Sequence, residues 1–131
     1  MIGLDTNVLL RFIAQDDKQQ SPMADTIIAS LTKRNPGWIA VATVLEFVWA
    51  MSKSMRFPKS VVCNALDRML ALDTIVMEQE TIVSLAVQQY RATRADFADC
   101  LIAASARAAG CAKTVTFDKI AARDAGMELL A

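Results

Sequence analysis

The amino-acid sequence predicts an α/β fold built on a mainly parallel sheet of four or five strands. Three observations lead there. Short apolar or β-branched runs recur at residues 1–4, 38–41, 74–77, 114–116 and 127–130. The segments between them carry apolar residues at helical spacing. At 131 residues and 54% hydrophobic content, the chain suits one ordinary domain, residues 1–131, with a real core. Strands that alternate with helices pair in parallel through right-handed crossovers.

Each element has a local reason. The run Met1-Ile2-Gly3-Leu4 stops at Asp5-Thr6-Asn7, and Val8-Leu9-Leu10 resumes the apolar pattern through Phe12 and Ile13. This reads as a buried strand, a polar turn and a helix over 7–14. Residues 15–20 are a polar connection. Ser21-Pro22 then places an N-cap serine before a proline at the first helical position. That helix runs to about residue 33, where Asn35-Pro36-Gly37 ends it.

After the strand at 38–41, Thr43 opens a helix to about residue 55, with Val44, Phe47, Val48 and Met51 on one face. Pro58 opens another, with Val61, Val62, Ala65, Leu66, Met69 and Leu70 periodic. Residues 78–94 form a long helix with Ile82, Leu85, Ala86 and Tyr90 buried. Asp96 starts an alanine-rich helix that Gly110 stops. Residues 119–125 form a short last helix, with Gly126 just beyond its end. No linker, repeat or low-complexity tract interrupts this order.

Composition excludes several functions. No segment approaches the roughly 18 consecutive apolar residues of a membrane helix. Asp5 and Asn7 break the N-terminal apolar stretch, so it does not read as a signal peptide. Cys63, Cys100 and Cys111 fit no zinc spacing or disulfide framework; they read as small buried hydrophobes in a reducing cytoplasm. The chain has no histidine, which excludes Ser-His-Asp and Cys-His nucleophiles, two-histidine acid–base schemes and histidine zinc sites. Hydrolytic chemistry would rest on carboxylates with a hard cation. Lys and Arg balance Asp and Glu at 14 each, which argues against a purely electrostatic nucleic-acid binder. If four acids gathered in one pocket, the remainder of the chain would be mildly basic around it.

Four acids stand out by position. Asp5 ends the first strand, Glu46 lies in the first turn of the helix after the second, Asp99 begins the alanine-rich helix one turn after Asp96, and Asp118 follows the strand at 114–116. Each has a capping reading. Asp5 or Thr6 caps the first helix, Thr43-Val44-Leu45-Glu46 matches a capping box, Asp96 is an N-cap with Asp99 favoured by the helix dipole, and Asp118 caps the last helix. Their conjunction favours a site. Glu46 and Asp99 sit in almost wholly apolar runs, where a lone carboxylate is costly. Three of the four lie near carboxyl ends of strands, which share one edge of a parallel sheet. Two carboxylates ~4 Å apart repel by roughly 4 kcal/mol at an effective dielectric of about 20. An oxygen-only set of this kind favours Mg²⁺ or Mn²⁺.

Ile2-Gly3-Leu4-Asp5-Thr6-Asn7-Val8-Leu9 resembles the opening of PIN-domain ribonucleases. Thr43-Val44-Leu45-Glu46 is similar to their second motif, Asp96-Phe97-Ala98-Asp99-Cys100-Leu101-Ile102-Ala103-Ala104 to the third, and Thr116-Phe117-Asp118-Lys119 to the fourth. The ordered set covers essentially the whole chain. Within the family, the size and the lack of extra domains most resemble VapC-type toxins of toxin–antitoxin pairs. The resemblance implies a three-layer α/β/α sandwich around a central sheet and Mg²⁺- or Mn²⁺-dependent endonucleolytic cleavage of RNA. It assigns the acidic roles to Asp5, Glu46, Asp99 and Asp118, with metal held by Asp5 and Asp99 and helped by the others. Asp96 keeps two readings, ligand of a second metal or helix cap. Thr6 and Asn7 would orient Asp5 or the metal waters, and Thr116 would act likewise beside Asp118. A cognate antitoxin and a homodimer are also implied.

Lys53, Arg56 and Lys59 after the Glu46 helix, and Arg91 and Arg94 before Asp96, read either as phosphate grips or as solvated helix ends. Two rival chemistries use Asp5 covalently. A haloacid-dehalogenase-type site wants a second Asp where this chain has Asn7, and a receiver-type phosphoacceptor sits on a later strand. A non-catalytic nucleic-acid or protein-binding module on the same fold is the other alternative.

Overall fold

The computed structural model describes residues 1–131, which fall into two units, residues 1–78 and 79–131. In the first, β1 (Ile2–Gly3), β2 (Gly37–Ile39) and β3 (Ile75–Met77) form a parallel sheet in the order β1-β2-β3. Ile2 lies opposite Gly37, and Ile39 lies opposite Met77. β2 is central and its Ile39 is fully buried. Gly37 leaves room for its neighbours: a Cβ there would come within 2.8 Å of Leu4 Cδ1 and 2.9 Å of Leu31 Cδ1, and those side-chain ends would have to shift.

Between β1 and β2 run α1 (Thr6–Ala14) and α2 (Gln20–Ser30). α2 begins earlier than the Ser21-Pro22 signature predicts. Asp17 Oδ1 accepts the N–H groups of Gln19 at 2.9 Å and Gln20 at 2.7 Å, so the aspartate takes over the expected serine's role. Ser21 is buried and donates its hydroxyl to the Arg11 carbonyl at 2.8 Å, near the end of α1. Pro22 falls in the first turn, where its missing N–H removes no intrahelical bond. α2 also stops short of residue 33, because Leu31 turns extended and buries its side chain.

Between β2 and β3 run α3 (Val41–Trp49), a π-helical turn (Ala50–Ser54) and α4 (Lys59–Ala71). Val44, Phe47, Val48 and Met51 are buried as their spacing predicts. In α4 the buried stripe is Val62, Cys63, Ala65, Leu66 and Met69, while Val61 is exposed. Burying each large side chain in these stripes is worth about 1.5–3 kcal/mol against leaving it in water.

The second unit holds α5 (Glu80–Ala92), α6 (Phe97–Ala108), β4 (Val115–Thr116), α7 (Lys119–Asp124) and β5 (Glu128–Leu129). Val83, Ala86, Val87 and Tyr90 line the buried stripe of α5. Leu85, expected inside, is 49% exposed because Val83 and Val87 complete the stripe instead. Tyr90 meets Phe97 of α6 edge to face, with ring centroids 5.7 Å apart. Cys63 and Cys100 are buried as expected. Cys111 is exposed: it lies past the end of α6, where Gly110 (φ 91°) has already turned the chain.

The expected sheet of four or five strands is not formed. Five strands are present, but β4 and β5 make a separate two-stranded parallel sheet. Both are two residues long, and they satisfy one another: Glu128 N–H donates to Thr114 O and Leu130 N–H to Thr116 O, both at 2.8 Å. Apolar periodicity marks a strand but does not choose its partner. No helix is long and apolar enough to cross a membrane.

Candidate active site

The first unit brings Asp5, Thr6 and Glu46 together. Asp5 leaves β1 in an extended conformation and caps α1, its Oδ1 accepting the Thr6 N–H at 2.8 Å. The cap therefore belongs to Asp5 and not to Thr6. It engages one carboxylate oxygen, and the exposed carboxylate keeps the other for a ligand. Thr6 is buried and donates its hydroxyl to Glu46 Oε1 at 3.1 Å. One threonine thus contacts both acids, through its backbone and its side chain. Asn7 is exposed in the first turn of α1.

The capping box at Thr43–Glu46 does not form. α3 starts earlier, at Val41, and Thr43 is buried inside it. The Val41 N–H is held at 2.9 Å by Glu78 Oε1, supplied from the end of β3. Glu78 was missed by local spacing, although it follows β3 as Asp5 follows β1. Because Glu78 caps α3, the Glu46 carboxylate is left to Thr6. Glu46 is also exposed, against the expectation of an apolar setting. Successive helical residues point in different directions, so Phe47 and Val48 turn inward while Glu46 turns to water.

The second unit brings Asp96, Asp99 and Asp118 within electrostatic reach. Asp96 occupies the N-cap position of α6 without a side-chain capping bond, and Asp99 lies in its first turn. Asp99 is half-buried. Its carboxyl is pushed above the usual carboxylate range, first by burial and then by the charges of Asp118 and Asp96. Asp118 caps α7, its Oδ1 accepting the N–H groups of Ile120 at 2.8 Å and Ala121 at 2.9 Å. Thr116 Oγ1 accepts the Asp118 N–H at 3.0 Å, which fixes the turn after β4. Thr116 therefore bonds the backbone of Asp118 and not its carboxylate.

All five basic residues singled out by sequence are exposed. Lys53 lies in the π-helical turn, Arg56 has a left-handed backbone (φ 57°), and Lys59 begins α4. Arg91 ends α5, and the backbone N–H of Arg94 donates to Asp124 Oδ2 at 3.3 Å.

No group of three or more His, Cys, Asp or Glu side chains is arranged to hold a metal ion. The donor chemistry nevertheless fits a hard divalent cation. Mg²⁺ keeps several waters and is commonly held through one or two carboxylates, so a closed cage is not required. A cation near Asp99 would also relieve the crowding of negative charge that disfavours its ionised form. The PIN domain family model matches residues 2–126, a span that includes every acid described above. The chain belongs to the PIN domain family. PIN domains are generally nucleases, and the family match supports a nuclease role for this one. PIN nucleases usually use divalent metals, in keeping with the oxygen-only donors. No curated protein matches the chain.

Proposed function

We propose that this PIN domain is a Mg²⁺- or Mn²⁺-dependent endoribonuclease, and that it is the toxin of a toxin–antitoxin pair. The observation that carries the nuclease reading is the environment of Asp99, a half-buried carboxyl beside two more carboxylates. Such a group is poorly matched to an apo protein and well matched to a cation. The fourfold order of motifs, which the family match spans, supports placing Asp5, Glu46, Asp99 and Asp118 in one reaction.

In this reading Asp5 and Asp99 would hold the ion, with Glu46, Asp96 and Asp118 assisting directly or through water. The chemistry such an ion would supply when bound is an acidified water and positive charge for the phosphodiester. The chain's own residues do the rest. Thr6 orients the Glu46 carboxylate, which is then placed to accept a proton from the attacking water. The two amides bonded to Asp118 Oδ1 fix that side chain, while Thr116 holds its backbone N–H, and the second carboxylate oxygen is left to the proposed site. Lys53, Arg56, Lys59, Arg91 and Arg94 are proposed grips on the RNA backbone. The proposed partners are RNA, a cognate antitoxin and a second copy of the chain, in the cytoplasm.

A non-catalytic module is the alternative, and the retained acids weigh against it. A thermal shift separates the two. Mn²⁺ should raise the melting temperature of the wild type by mass action and leave Asp99→Asn nearly unmoved. An equal or absent response in both would remove the metal site and the nuclease reading with it. The toxin assignment is tested in the genome: a small neighbouring gene with a DNA-binding fold supports it, and its absence argues against it.

A further inference from the structure

Asp118 stands at the start of α7, a helix of six residues whose buried residue is Ala121. A helix this short is not stable by itself in water. Its apolar anchor is also small, because hydrophobic stabilisation scales with the apolar area removed from water, and the larger Ile120 is exposed. The Thr116 bond and the chain itself hold the first end of α7 to β4. Its far end is held by polar groups that converge on Asp124. Gln89 of α5 donates its side-chain N–H to the Asp124 carbonyl. The backbone N–H of Arg94, two residues before the α6 cap position at Asp96, donates to Asp124 Oδ2 at 3.3 Å. Arg123 donates from Nε to Asp124 Oδ1 at 2.9 Å and from Nη2 to Oδ2 at 3.0 Å.

The Asp124 side chain is only 16% exposed, so it is more than a solvated surface charge. Arg123 first, and then the Arg94 amide, hold its carboxyl below the usual carboxylate range. The turn that it grips is itself braced. Thr93 Oγ1 donates to Gln89 O at 2.9 Å and accepts the Ala95 N–H at 3.3 Å, and Ala95 is buried. Asp124 is thus bonded to the segment that leads directly into Asp96 and Asp99. We propose that Asp124 is a positioning residue of the acidic site: it ties the far end of α7 to the turn that opens α6, and so fixes Asp118, at the other end of α7, relative to Asp96 and Asp99. This rests on the nuclease reading. It adds to that reading an acid that the four motifs do not include.

The test is the Mn²⁺ affinity of the full chain, measured by water-proton relaxation, with amide exchange in chelator and RNA cleavage in Mn²⁺ followed in parallel. Asp124→Ala should weaken Mn²⁺ binding about tenfold, the lower end of the range for groups that orient metal ligands. Exchange at the Ile120 and Ala121 amides, which bond Asp118, should speed up in the same variant. Asp124→Asn keeps an acceptor for the Arg94 N–H and should retain most of the affinity. Asp17→Ala, which removes a carboxylate cap from the other unit, should leave Mn²⁺ affinity unchanged. Because Asp124 acts through Asp118, the two should not be additive. Asp124→Ala combined with Asp118→Asn should bind Mn²⁺ no more weakly than Asp118→Asn alone. Should Asp124→Ala fail to fold, Gln89→Ala, which removes only the bond to the Asp124 carbonyl, carries the same comparison. Wild-type Mn²⁺ affinity in Asp124→Ala, or a full further loss in the double variant, would overturn the positioning role and leave the nuclease reading standing. A wild type that neither binds Mn²⁺ nor cleaves RNA would sink the nuclease reading and the positioning role together.

Discussion

Thr6 donates its hydroxyl to Glu46 across forty positions of sequence, at 3.1 Å, while its own amide is held by Asp5. Two acids from distant motifs thereby share one small, buried residue. Replacing Thr6 with valine keeps the shape and removes the donor. We predict a stability loss of about 1 kcal/mol in urea unfolding. RNA cleavage should fall by more than that loss accounts for, because Glu46 loses its orientation. A variant with full cleavage would show that Thr6 matters to folding only.

Asp118 caps α7, and this observed role can be separated from its proposed role in cleavage. Asparagine caps helices about as well as aspartate, whereas alanine does not. Asp118→Asn should keep wild-type stability and lose cleavage. Asp118→Ala should lose both, with a stability cost of about 1 kcal/mol. Equal cleavage by Asp118→Asn and the wild type would leave Asp118 as a cap alone.

Asp99 is an acid whose ionised form is disfavoured in the fold. Its raised folded pKa means that the native state binds the proton more readily than the unfolded chain does. Stability is therefore lost as pH rises through the carboxylate range and stays reduced at neutral pH. Asp99→Asn should melt higher than the wild type in metal-free buffer at neutral pH. The advantage should vanish in acid, where Asp99 is protonated. A lower melting temperature at neutral pH would mean that the charge is not strained.

Asp17 behaves in the opposite sense. Backbone N–H groups of Gln20 and Gln19 hold its carboxyl below the usual range. Its contribution is fully present above the unfolded pKa and disappears as pH falls through the lower, folded one. Asp17→Ala should be less stable than the wild type at neutral pH, and the two should converge in strong acid. A difference that persists there would place the effect outside the charge.

The helices, the strand positions and the four acidic motifs were legible because local periodicity and residue type mark them. Long-range partners were not. The capping box at Glu46 fails because Glu78, brought in by β3, reaches the first turn of α3, and no local spacing signals that contact. Ser21 loses its capping role to Asp17 for the same kind of reason, its hydroxyl being drawn to Arg11. β4 and β5 read correctly as strands, but their pairing with one another alone is a property of the folded chain. The exposure of Glu46 follows from helical rotation, which a linear apolar run conceals.

The most direct measurement is cleavage of single-stranded RNA by the purified protein, with Mn²⁺ or with chelator, for the wild type, Asp5→Asn and Asp99→Asn. The wild type should cut internally only with metal. Both variants should fold normally and cut about a hundredfold more slowly or less, the scale of losing one electrostatic contact in a transition state. Full cleavage by both variants, or cleavage that persists undiminished in chelator, would contradict the assignment of these carboxylates to a metal-dependent nuclease site.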